Sequence, residues 1–393
     1  MSLSMTNKPF IAIACGGTGG HLFPGIAVAE QLRQRGCDVG LLISPKEVDQ
    51  QAVKSAAGME IFTLPAVGLQ NRNYFSFARS FWKSFRTARG IFKQRRPVAV
   101  LAMGGFTSAP PVLAARKSGA KTFLHDSNTI PGKANRFLAR FVDEAFVGFP
   151  EATGRLRAKK TAVTGTPVRP QFQPREAGAC RMALGLEPGR ETILIVGGSQ
   201  GASGLNDLIL SALQGQAAEK LSAFQFLHLT GAKDVEKVKA AYAARGFKAV
   251  VKPFLAEMDL ALGAATACVS RAGASSLAEI AAMRLPSALV PLPTAADNHQ
   301  WSNAQAFEKT GAAMVLDQRN SPPEKVVATL LALAGDGAVR SKMQPALAQW
   351  HAPLAAAVIA ENILKAVGQD AGDFVRGGGT PSTDGEIKLR MVT

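Results

Sequence analysis

Two stretches decide the fold: FIAIACGGTGGHLFPGIAVAEQL at residues 10–32 and TILIVGGSQGASGLNDLILSAL at residues 192–213. Each starts with a short apolar run typical of a buried strand, passes through a glycine turn and continues as a helical pattern. Similar strand and helix patterns alternate along most of the chain, which favours parallel sheets covered by helices. The sequence therefore predicts the α/β class, with two similar Rossmann-like domains whose parallel sheets face one another across a ligand cleft.

The segment TGTPVRPQFQPREAGA at residues 164–179 separates the two stretches, and its three prolines indicate a linker. We expect a first domain at residues 5–168 and a second at residues 169–350. A helix at residues 351–368 is long enough to return to the first domain. Residues 369–393 are glycine-rich without apolar periodicity, which predicts a flexible tail outside the fold.

Composition narrows the functional classes. The chain has 393 residues, of which 47% are hydrophobic and 19% charged, which excludes a disordered chain. It carries 45 Lys and Arg against 29 Asp and Glu, a formal net charge of +16 that indicates an anionic partner such as nucleic acid, nucleotide phosphates or acidic lipid. The four scattered cysteines fit reduced cytosol rather than a zinc or redox pair. Neither a secretory signal nor a membrane-spanning segment is expected.

Glycine turns between strand and helix occur at residues 16–20, 104–108 and 197–201. The first turn of a helix presents backbone N–H groups and the positive end of the helix dipole, so phosphates bind there. One such turn is commonly only tight packing, but three favour a phosphorylated ligand. The first turn departs from GxGxxG and no P-loop motif is present, which disfavours dehydrogenases and kinases. His21 follows the first turn and is a structural residue, a phosphate ligand or a base.

The segment CVSRAGASSLAEIAAMRLPSALVPLP at residues 268–293 has two explanations. Ser276 and Glu279 have the spacing of a capping box, which requires no ligand. Alternatively, Arg271, Ser275 and Ser276 face a phosphate, while Glu279 binds ribose hydroxyls. The following polar run, DNHQWSNA at residues 297–304, is typical of a site for a hydroxyl-rich ligand such as a sugar.

Residues 61–125 contain no Asp or Glu but eleven Lys and Arg, and aromatics interleave with the cations at residues 71–97. This mixture suits a lipid interface or single-stranded nucleic acid, and some of the aromatics also suit a core. We favour an anionic membrane surface over nucleic acid. The predicted membrane patch consists of Phe75, Phe77, Phe81, Trp82, Phe85, Arg79, Lys83 and Arg86.

Taken in order, GGTGGHLFPGIAVAEQL, MGGFTSAPPVLAA, FLHDSNTIPGKANRFLA, GTPVR, ILIVGGSQGASGLND, SRAGASSLAEI and DNHQWSNA closely resemble the MurG family of peptidoglycan N-acetylglucosaminyltransferases. The resemblance implies the two-domain GT-B fold. It also implies transfer of N-acetylglucosamine from UDP-N-acetylglucosamine to undecaprenyl-pyrophosphoryl-N-acetylmuramoyl-pentapeptide (lipid I), which gives lipid II. The transfer would invert the anomeric centre without a covalent enzyme intermediate. The enzyme would act peripherally, at the cytoplasmic face of the inner membrane.

The resemblance also implies site residues. Glu279 would hold the ribose, Gln300 the sugar hydroxyls, and Ser199 would approach the diphosphate. His21 is the expected base, with Asn128 as a positioning group. The implied substrate-binding positions are Thr18, Gly19, Gly20, Asn128, Arg169, Ser199, Leu255, Ala274, Ser275, Ser276, Leu277, Ala278, Glu279 and Gln300. Main-chain amides and Arg169 would meet the charge of the leaving diphosphate. No DxD motif is present, so neither a metal nor a cofactor is predicted.

The chain departs from the family pattern at three places. It has His125-Asp126-Ser127-Asn128 where the family commonly has His-Glu-Gln-Asn, Thr166 where the family has Asn, and Ser276 where Thr is usual. We assign no role to Asp126, Ser127 or Thr166. The alternatives are a GT-B transferase with another lipid acceptor, a UDP-sugar epimerase, which the scarcity of acids in the first half disfavours, and a non-catalytic basic binding protein.

Overall fold

The computed structural model describes residues 8–17, 19–45, 58–65, 74–198, 201–368 and 389–390. The chain divides into two compact units. The first unit consists of Met1–Arg169 with Pro353–Thr393, and the second consists of Pro170–Ala352. The linker predicted from its prolines contains the boundary, and Arg169 is the last residue of the first unit before it.

Each unit contains one sheet, and every described strand pairing is parallel. The strands of the first unit are β1 (Phe10–Ala14), β2 (Asp38–Ile43), β3 (Glu60–Thr63), β4 (Ala99–Ala102), β5 (Lys121–Asp126), β6 (Glu144–Val147), β7 (Thr161–Val163) and β14 (Leu389–Arg390). Those of the second unit are β8 (Thr192–Val196), β9 (Gln225–Leu229), β10 (Ala249–Lys252), β11 (Ala267–Ser270), β12 (Ser287–Leu289) and β13 (Met314–Val315).

Helices connect the strands, as the alternating sequence pattern predicts. They are α1 (Gly19–Gln34), α2 (Tyr74–Gln94), α3 (Ala109–Lys117), α4 (Lys133–Leu138), α5 (Ala177–Ala183), α6 (Ser203–Gln214), α7 (Val235–Ala244), α8 (Met258–Ala264), α9 (Ala274–Ala282), α10 (His299–Lys309), α11 (Pro323–Gly335), α12 (Gly337–Trp350) and α13 (Ala355–Ala366). Among the residues that the structure describes, no helix is both long and apolar enough to cross a bilayer.

The strand orders are those of the Rossmann fold. The first sheet runs β14-β3-β2-β1-β4-β5-β6-β7 and the second β10-β9-β8-β11-β12-β13. In each sheet, successive strands are added first on one side of the starting strand and then on the other. This reversal lies between β1 and β4 in the first unit and between β8 and β11 in the second. Open parallel sheets bind ligands at the carboxyl ends of the strands beside such a reversal. The glycine turns that the sequence singles out follow β1, β4 and β8, so all three lie at these positions.

Side chains of β1 alternate between two cores. Ile11 and Ile13 are fully buried among residues of α1 and α13, including Ile359. Phe10 and Ala12 face the other core, which residues of α2 and α3 cover. Both faces of the strand are therefore dry, which explains why its sequence is continuously apolar rather than alternating.

The segment after the second unit returns to the first, where α13 packs against α1. The segment expected to be a tail differs from that expectation at two residues. Leu389 and Arg390 pair with Ile61 and Phe62 of β3, and so form the edge strand of the first sheet. Residues 369–388 and 391–393 lie outside the described residues.

The packing of α13 on the first unit makes a stability prediction. Ile359 is fully buried between the helix and the sheet, whereas its neighbour Val358 is 36% exposed. We expect Ile359→Ala to lower the free energy of unfolding by about 2–5 kcal/mol, because the truncation leaves a cavity in the core. Val358→Ala is the matched control and should change that energy by less than about 0.5 kcal/mol. Urea denaturation measures both, and equal effects of the two substitutions would contradict this packing.

Candidate active site

The turns after β1 and β4 are joined in the first unit. Thr107 Oγ1 donates to the Gly16 carbonyl at 2.7 Å, and Ser108 Oγ donates to the Ala14 carbonyl at 3.1 Å. Gly17 and Gly104 have φ angles of +126° and +122°, which side-chain-bearing residues rarely adopt. Two turns far apart in sequence thus form a single surface at the carboxyl edge of the sheet.

His21 lies against this surface, in the first turn of α1. A Cβ atom at Gly104 would be 2.8 Å from His21 Nε2, and one at Gly105 would be 3.5 Å from Nδ1. The two glycines therefore leave the space that the imidazole occupies. Gly19 and Gly20 open α1 at the positive end of its dipole. Thr18, the other predicted residue of this turn, lies outside the described residues.

Asp126, at the end of β5, organises the loop that carries Asn128. Its Oδ1 accepts a hydrogen bond from the Asn128 backbone N–H at 2.9 Å. Its Oδ2 accepts from the Gly132 N–H at 2.9 Å and from Asn135 Nδ2 at 2.8 Å. Asn135 Nδ2 also donates to the His125 carbonyl at 3.1 Å. Asp126, to which we assigned no role from the sequence, therefore positions the predicted residue Asn128.

His125 and Ser127 form part of the same buried region. His125 Nε2 lies 3.0 Å from the Gly165 carbonyl, and since a carbonyl only accepts, this nitrogen carries the proton. Ser127 Oγ lies 3.4 Å from the other ring nitrogen. Burial lowers the pKa of His125, so its ring is neutral. Thr166 fills the space beside Gly148, where a Cβ atom would overlap its hydroxyl.

Arg169 lies on the first turns of α1. Its guanidinium carbon is 4.0 Å from the centroid of the Phe23 ring, a cation–π contact. A Cβ atom at Gly19 would be 3.3 Å from the same ring. The structure thus brings Arg169 and Gly19 together in the first unit.

The glycine turn of the second unit leads into α6. Gly198 and Gly201 have φ angles of +98° and +75°, and the Gly201 N–H donates to the Gly198 carbonyl at 3.1 Å. A Cβ atom at Gly201 would be 2.9 Å from Gly231 Cα, so only glycine allows this approach to the end of β9. The turn directs the first amides of α6 towards the carboxyl edge of the sheet. Ser199 lies outside the described residues.

The turn after β11 leads into α9, whose N-cap is Gly273. Ser276 is therefore inside the helix, and the capping-box explanation for Ser276 and Glu279 is wrong. Ser275, Ser276, Ala278 and Glu279 are half-buried, whereas the side chains of Ala274 and Leu277 are buried. The latter two can meet a ligand only through their backbone.

Arg271 corrects one expectation. It is buried and donates from Nη1 to the Val290 and Pro291 carbonyls at 3.0 and 3.4 Å. Burial lowers the pKa of its guanidinium to about 10, so the group stays charged at neutral pH. Its cation stabilises the end of β12 rather than facing a phosphate.

Gln300 lies in the first turn of α10, and its Oε1 accepts from the Leu292 N–H at 3.0 Å. Asn303 is fully buried one turn later, and its Nδ2 donates to the Ala272 carbonyl at 3.1 Å. This bond ties α10 to the turn before α9. Beside Gln300, a cavity of about 250 Å³ is lined by Asn298, Trp301, Gln318 and neighbouring residues. Leu255, three residues after the end of β10, is buried.

A larger cavity, about 500 Å³, opens at the opposite end of the first sheet. Its lining residues lie at the amino ends of β1, β2 and β3 and at the C-terminal ends of α1 and α2, where a parallel sheet presents no helix starts. Arg95 on this cavity already pairs with Asp38 at 2.7 Å and with Glu60. Size alone therefore does not mark the functional site of this unit.

The predicted membrane patch divides between two faces of α2. Phe85 is 6% exposed and packs in the core with Phe92, so its assignment to the patch is wrong. Phe77 and Phe81 are half-buried. Phe75 and Trp82 are 83% and 58% exposed. Arg79, Lys83 and Arg86 are also exposed, and we call Phe75, Trp82 and these three cations the outer face of α2.

Sequence reasoning missed two exposed aromatics of the first unit, one of which contacts α2. Phe106 is 36% exposed, packs edge-on against Phe77 at a centroid distance of 5.5 Å, and follows the Gly104–Gly105 turn directly. Phe137 on α4 is 47% exposed and contacts Phe141, whose carbonyl accepts from Arg116 Nη1 at 2.7 Å. Only the basic stretch at residues 61–125 points to Phe106, and Phe137 lies beyond that stretch, because the exposure of both depends on how the helices pack.

Known proteins resemble both halves of this chain. The glycosyltransferase family 28 N-terminal domain matches residues 11–147 and the family 28 C-terminal domain matches residues 192–359. The UDP-N-acetylglucosamine--N-acetylmuramyl-(pentapeptide) pyrophosphoryl-undecaprenol N-acetylglucosamine transferase of Desulfotalea psychrophila is 35% identical over 344 residues, which are 86% of this chain and 92% of that protein.

Solved structures share the fold. Acinetobacter baumannii MurG matches with a TM-score of 0.70 and 28% identity, over 91% of this chain and 99% of that one. A putative UDP-N-acetylglucosamine 2-epimerase from Listeria monocytogenes has the same TM-score but only 14% identity, over 92% of this chain and 99% of that one. The second likeness concerns the fold alone.

The predicted α/β fold of GT-B type and the resemblance to MurG are confirmed by these matches. Both family 28 domains are present in order, and the identity to the Desulfotalea psychrophila transferase extends over most of the chain. The chain belongs to glycosyltransferase family 28, and within it to the N-acetylmuramyl-(pentapeptide) pyrophosphoryl-undecaprenol N-acetylglucosamine transferases.

Proposed function

We propose that this enzyme transfers N-acetylglucosamine from UDP-N-acetylglucosamine to lipid I and so forms lipid II. The observation that carries the proposal is the glycine turn and helix start at the central strands of each unit. Both substrates contain a diphosphate, and each unit offers main-chain amides and a helix dipole for one of them. The family membership and the matching name of the curated relative support this pair of substrates.

The donor would bind the second unit. The amides at the starts of α6 and α9, with Ser199, Ser275 and Ser276, would hold the diphosphate. They would also stabilise the charge that develops on it as the sugar leaves. Glu279 would accept hydrogen bonds from the ribose hydroxyls, one helical turn beyond the diphosphate. The remaining donor contacts would come from Leu255, from the backbone of Ala274, Leu277 and Ala278, and from Gln300, beside the 250 Å³ cavity, to the sugar hydroxyls.

The acceptor would bind the first unit. Its pyrophosphate suits the start of α1, where Thr18, Gly19 and Gly20 precede His21 and where Arg169 adds a fixed cation. The acceptor hydroxyl would attack the anomeric carbon from the side opposite UDP, which inverts that centre. His21 would accept the hydroxyl proton, and Asn128, held by Asp126, would position the acceptor.

A UDP-sugar epimerase is the less favoured function. The likeness to the Listeria monocytogenes protein is one of fold, whereas the transferase relative is 35% identical over 86% of the chain. Incubation with UDP-N-acetylglucosamine and a lipid I analogue separates the two functions. We expect the disaccharide lipid and free UDP to accumulate together. Epimerised UDP-sugar without disaccharide would overturn the proposal.

The role of His21 makes the first kinetic prediction. We expect His21→Ala to lower kcat by about 10²–10⁴-fold, the usual contribution of a general base, with little change in the KM for the donor. His21→Gln is the matched comparison, because it retains a side chain of similar volume beside Gly104 that can hydrogen-bond but accepts no proton at neutral pH. A base requires both variants to be equally slow in steady-state assays. Recovery of kcat in His21→Gln would show that the residue only packs.

The outer face of α2 suits the membrane that carries the acceptor. Two exposed aromatics lie among exposed cations, on a stretch without acids. Aromatic side chains enter the headgroup region, and each cation near an anionic surface contributes about 1 kcal/mol. Phe106 links this face to the turn that contacts His21. We therefore place the enzyme peripherally on the cytoplasmic face of the inner membrane, with lipid rather than nucleic acid as its anionic partner.

Vesicle binding tests this face. We expect Phe75→Ser and Trp82→Ser each to weaken binding to phosphatidylglycerol vesicles at low salt by about tenfold or more, since each removes about 1.5–3 kcal/mol of apolar burial. Met182→Ser is the matched control, because Met182 is 65% exposed on the second unit. Cosedimentation measures all three. Unchanged binding in both α2 variants, or binding to single-stranded DNA instead of vesicles, would argue against the membrane assignment.

A further inference from the structure

A chain of buried hydrogen bonds lies behind the glycine turn of the second unit. It runs from Tyr242 on α7 through His228 on β9 to Asn206 on α6. The Tyr242 hydroxyl lies 3.2 Å from His228 Nδ1, and His228 Nε2 lies 3.0 Å from Asn206 Oδ1. All three side chains are at most 2% exposed. The predicted site residues do not include any of them.

Asn206 connects this chain to the ends of neighbouring elements. Its Nδ2 donates to the Thr230 carbonyl at 3.0 Å and to Asp234 Oδ2 at 2.8 Å. Asp234 is the N-cap of α7 but does not cap that helix with its side chain. Hydrogen bonds from Ser203 and Asn206 lower the pKa of Asp234 instead. The carboxylate therefore binds the first turn of α6, where Ser203 is the first residue.

The direction of every bond in the chain is determined. Both amide protons of Asn206 are used by oxygen acceptors, so its Oδ1 accepts from His228. His228 must then carry its proton on Nε2, and its Nδ1 accepts from the Tyr242 hydroxyl. Burial lowers the pKa of His228 to about 3, so the neutral ring persists at neutral pH. A single tautomer of His228 satisfies the arrangement.

The anchored elements are those that shape the glycine turn. The Asn206 N–H donates to the Ala202 carbonyl at 3.0 Å, directly after Gly201. Gly201 packs against the backbone of Thr230 and Gly231. The Gly231 N–H in turn donates to the Pro253 carbonyl at 3.0 Å. Asn206 therefore anchors both elements that meet at Gly201. Its N–H binds the Ala202 carbonyl before α6, and its side chain binds the Thr230 carbonyl after β9.

We propose that His228 is a positioning residue for the donor. Through Asn206 it fixes the start of α6 and hence the amides that receive the diphosphate. The inference rests on the proposed function, because it requires UDP to bind at this turn. It predicts that loss of the His228 N–H weakens the hold on the diphosphate and leaves the nucleoside contacts intact.

Calorimetric titration of the 393-residue protein with UDP and with uridine tests the proposal. We expect His228→Leu, which keeps similar volume but donates no hydrogen bond, to weaken UDP binding by about 5- to 50-fold, because Asn206 Oδ1 is left buried and unsatisfied. Uridine binding should change by less than about twofold. His228→Gln places an amide N–H near the position of Nε2 and should restore most of the UDP affinity.

Asp234, the half-buried acceptor of Asn206 Nδ2, gives a second variant if His228→Leu does not fold. Asp234→Asn should weaken UDP binding by about 3- to 10-fold, again with uridine unaffected. Asp207→Asn is its matched control, because Asp207 is the exposed neighbour of Asn206 on α6. Asp207 pairs with Lys237, which is not part of the buried hydrogen bonds. This control should bind UDP as the parent enzyme does.

The outcomes separate the two levels of the proposal. Failure of the parent enzyme to bind UDP would overturn the proposed function and the positioning role together. Normal UDP binding by the parent, by His228→Leu and by Asp234→Asn would overturn the positioning role alone. Equal losses for UDP and uridine, or no recovery in His228→Gln, would also reject it, since both indicate general damage to the unit.

Discussion

Main-chain N–H groups at the starts of helices that follow central parallel strands are the interaction on which the proposed chemistry depends. They cannot be replaced by side chains without losing the close approach of a diphosphate. Close packing at these turns requires glycine at two positions. Gly104 leaves space for the His21 imidazole, and Gly201 packs against the backbone of Gly231. Each unit repeats the arrangement at the reversal of its strand order, which is why one fold, used twice, suits two diphosphate substrates.

The first unit adds the outer face of α2, the proposed membrane-binding surface, to this arrangement. The outer face of α2 continues through Phe77 and Phe106 to the turn that contacts His21. A lipid-linked substrate has an apolar tail and a charged head, and these neighbouring surfaces match that order. The buried face of the same helix, with Phe85 and Phe92, anchors the exposed face to the sheet. In the proposed function, membrane affinity would therefore depend on this helix.

Local patterns were sufficient to predict much of the fold. The two strand–glycine–helix stretches predicted both sheets, and the division after Arg169 lies within the proline-containing segment at residues 164–179. The burial of Phe85 was also readable, since Phe85, Ala88 and Phe92 recur with helical spacing. The hydrogen-bond partners of the site residues could not be predicted from the sequence. Thr107 binds Gly16 across 91 positions, and Asn206 meets His228 only because β8 and β9 are neighbours. Such contacts depend on strand order, which a single sequence does not specify.

A crystal structure of the enzyme with UDP tests the central claim most directly. The account predicts diphosphate oxygens about 2.7–3.2 Å from backbone nitrogens at the starts of α6 and α9, with Glu279 on the ribose. A diphosphate held only by lysine or arginine side chains, or bound at the amino ends of β1, β2 and β3, would contradict it.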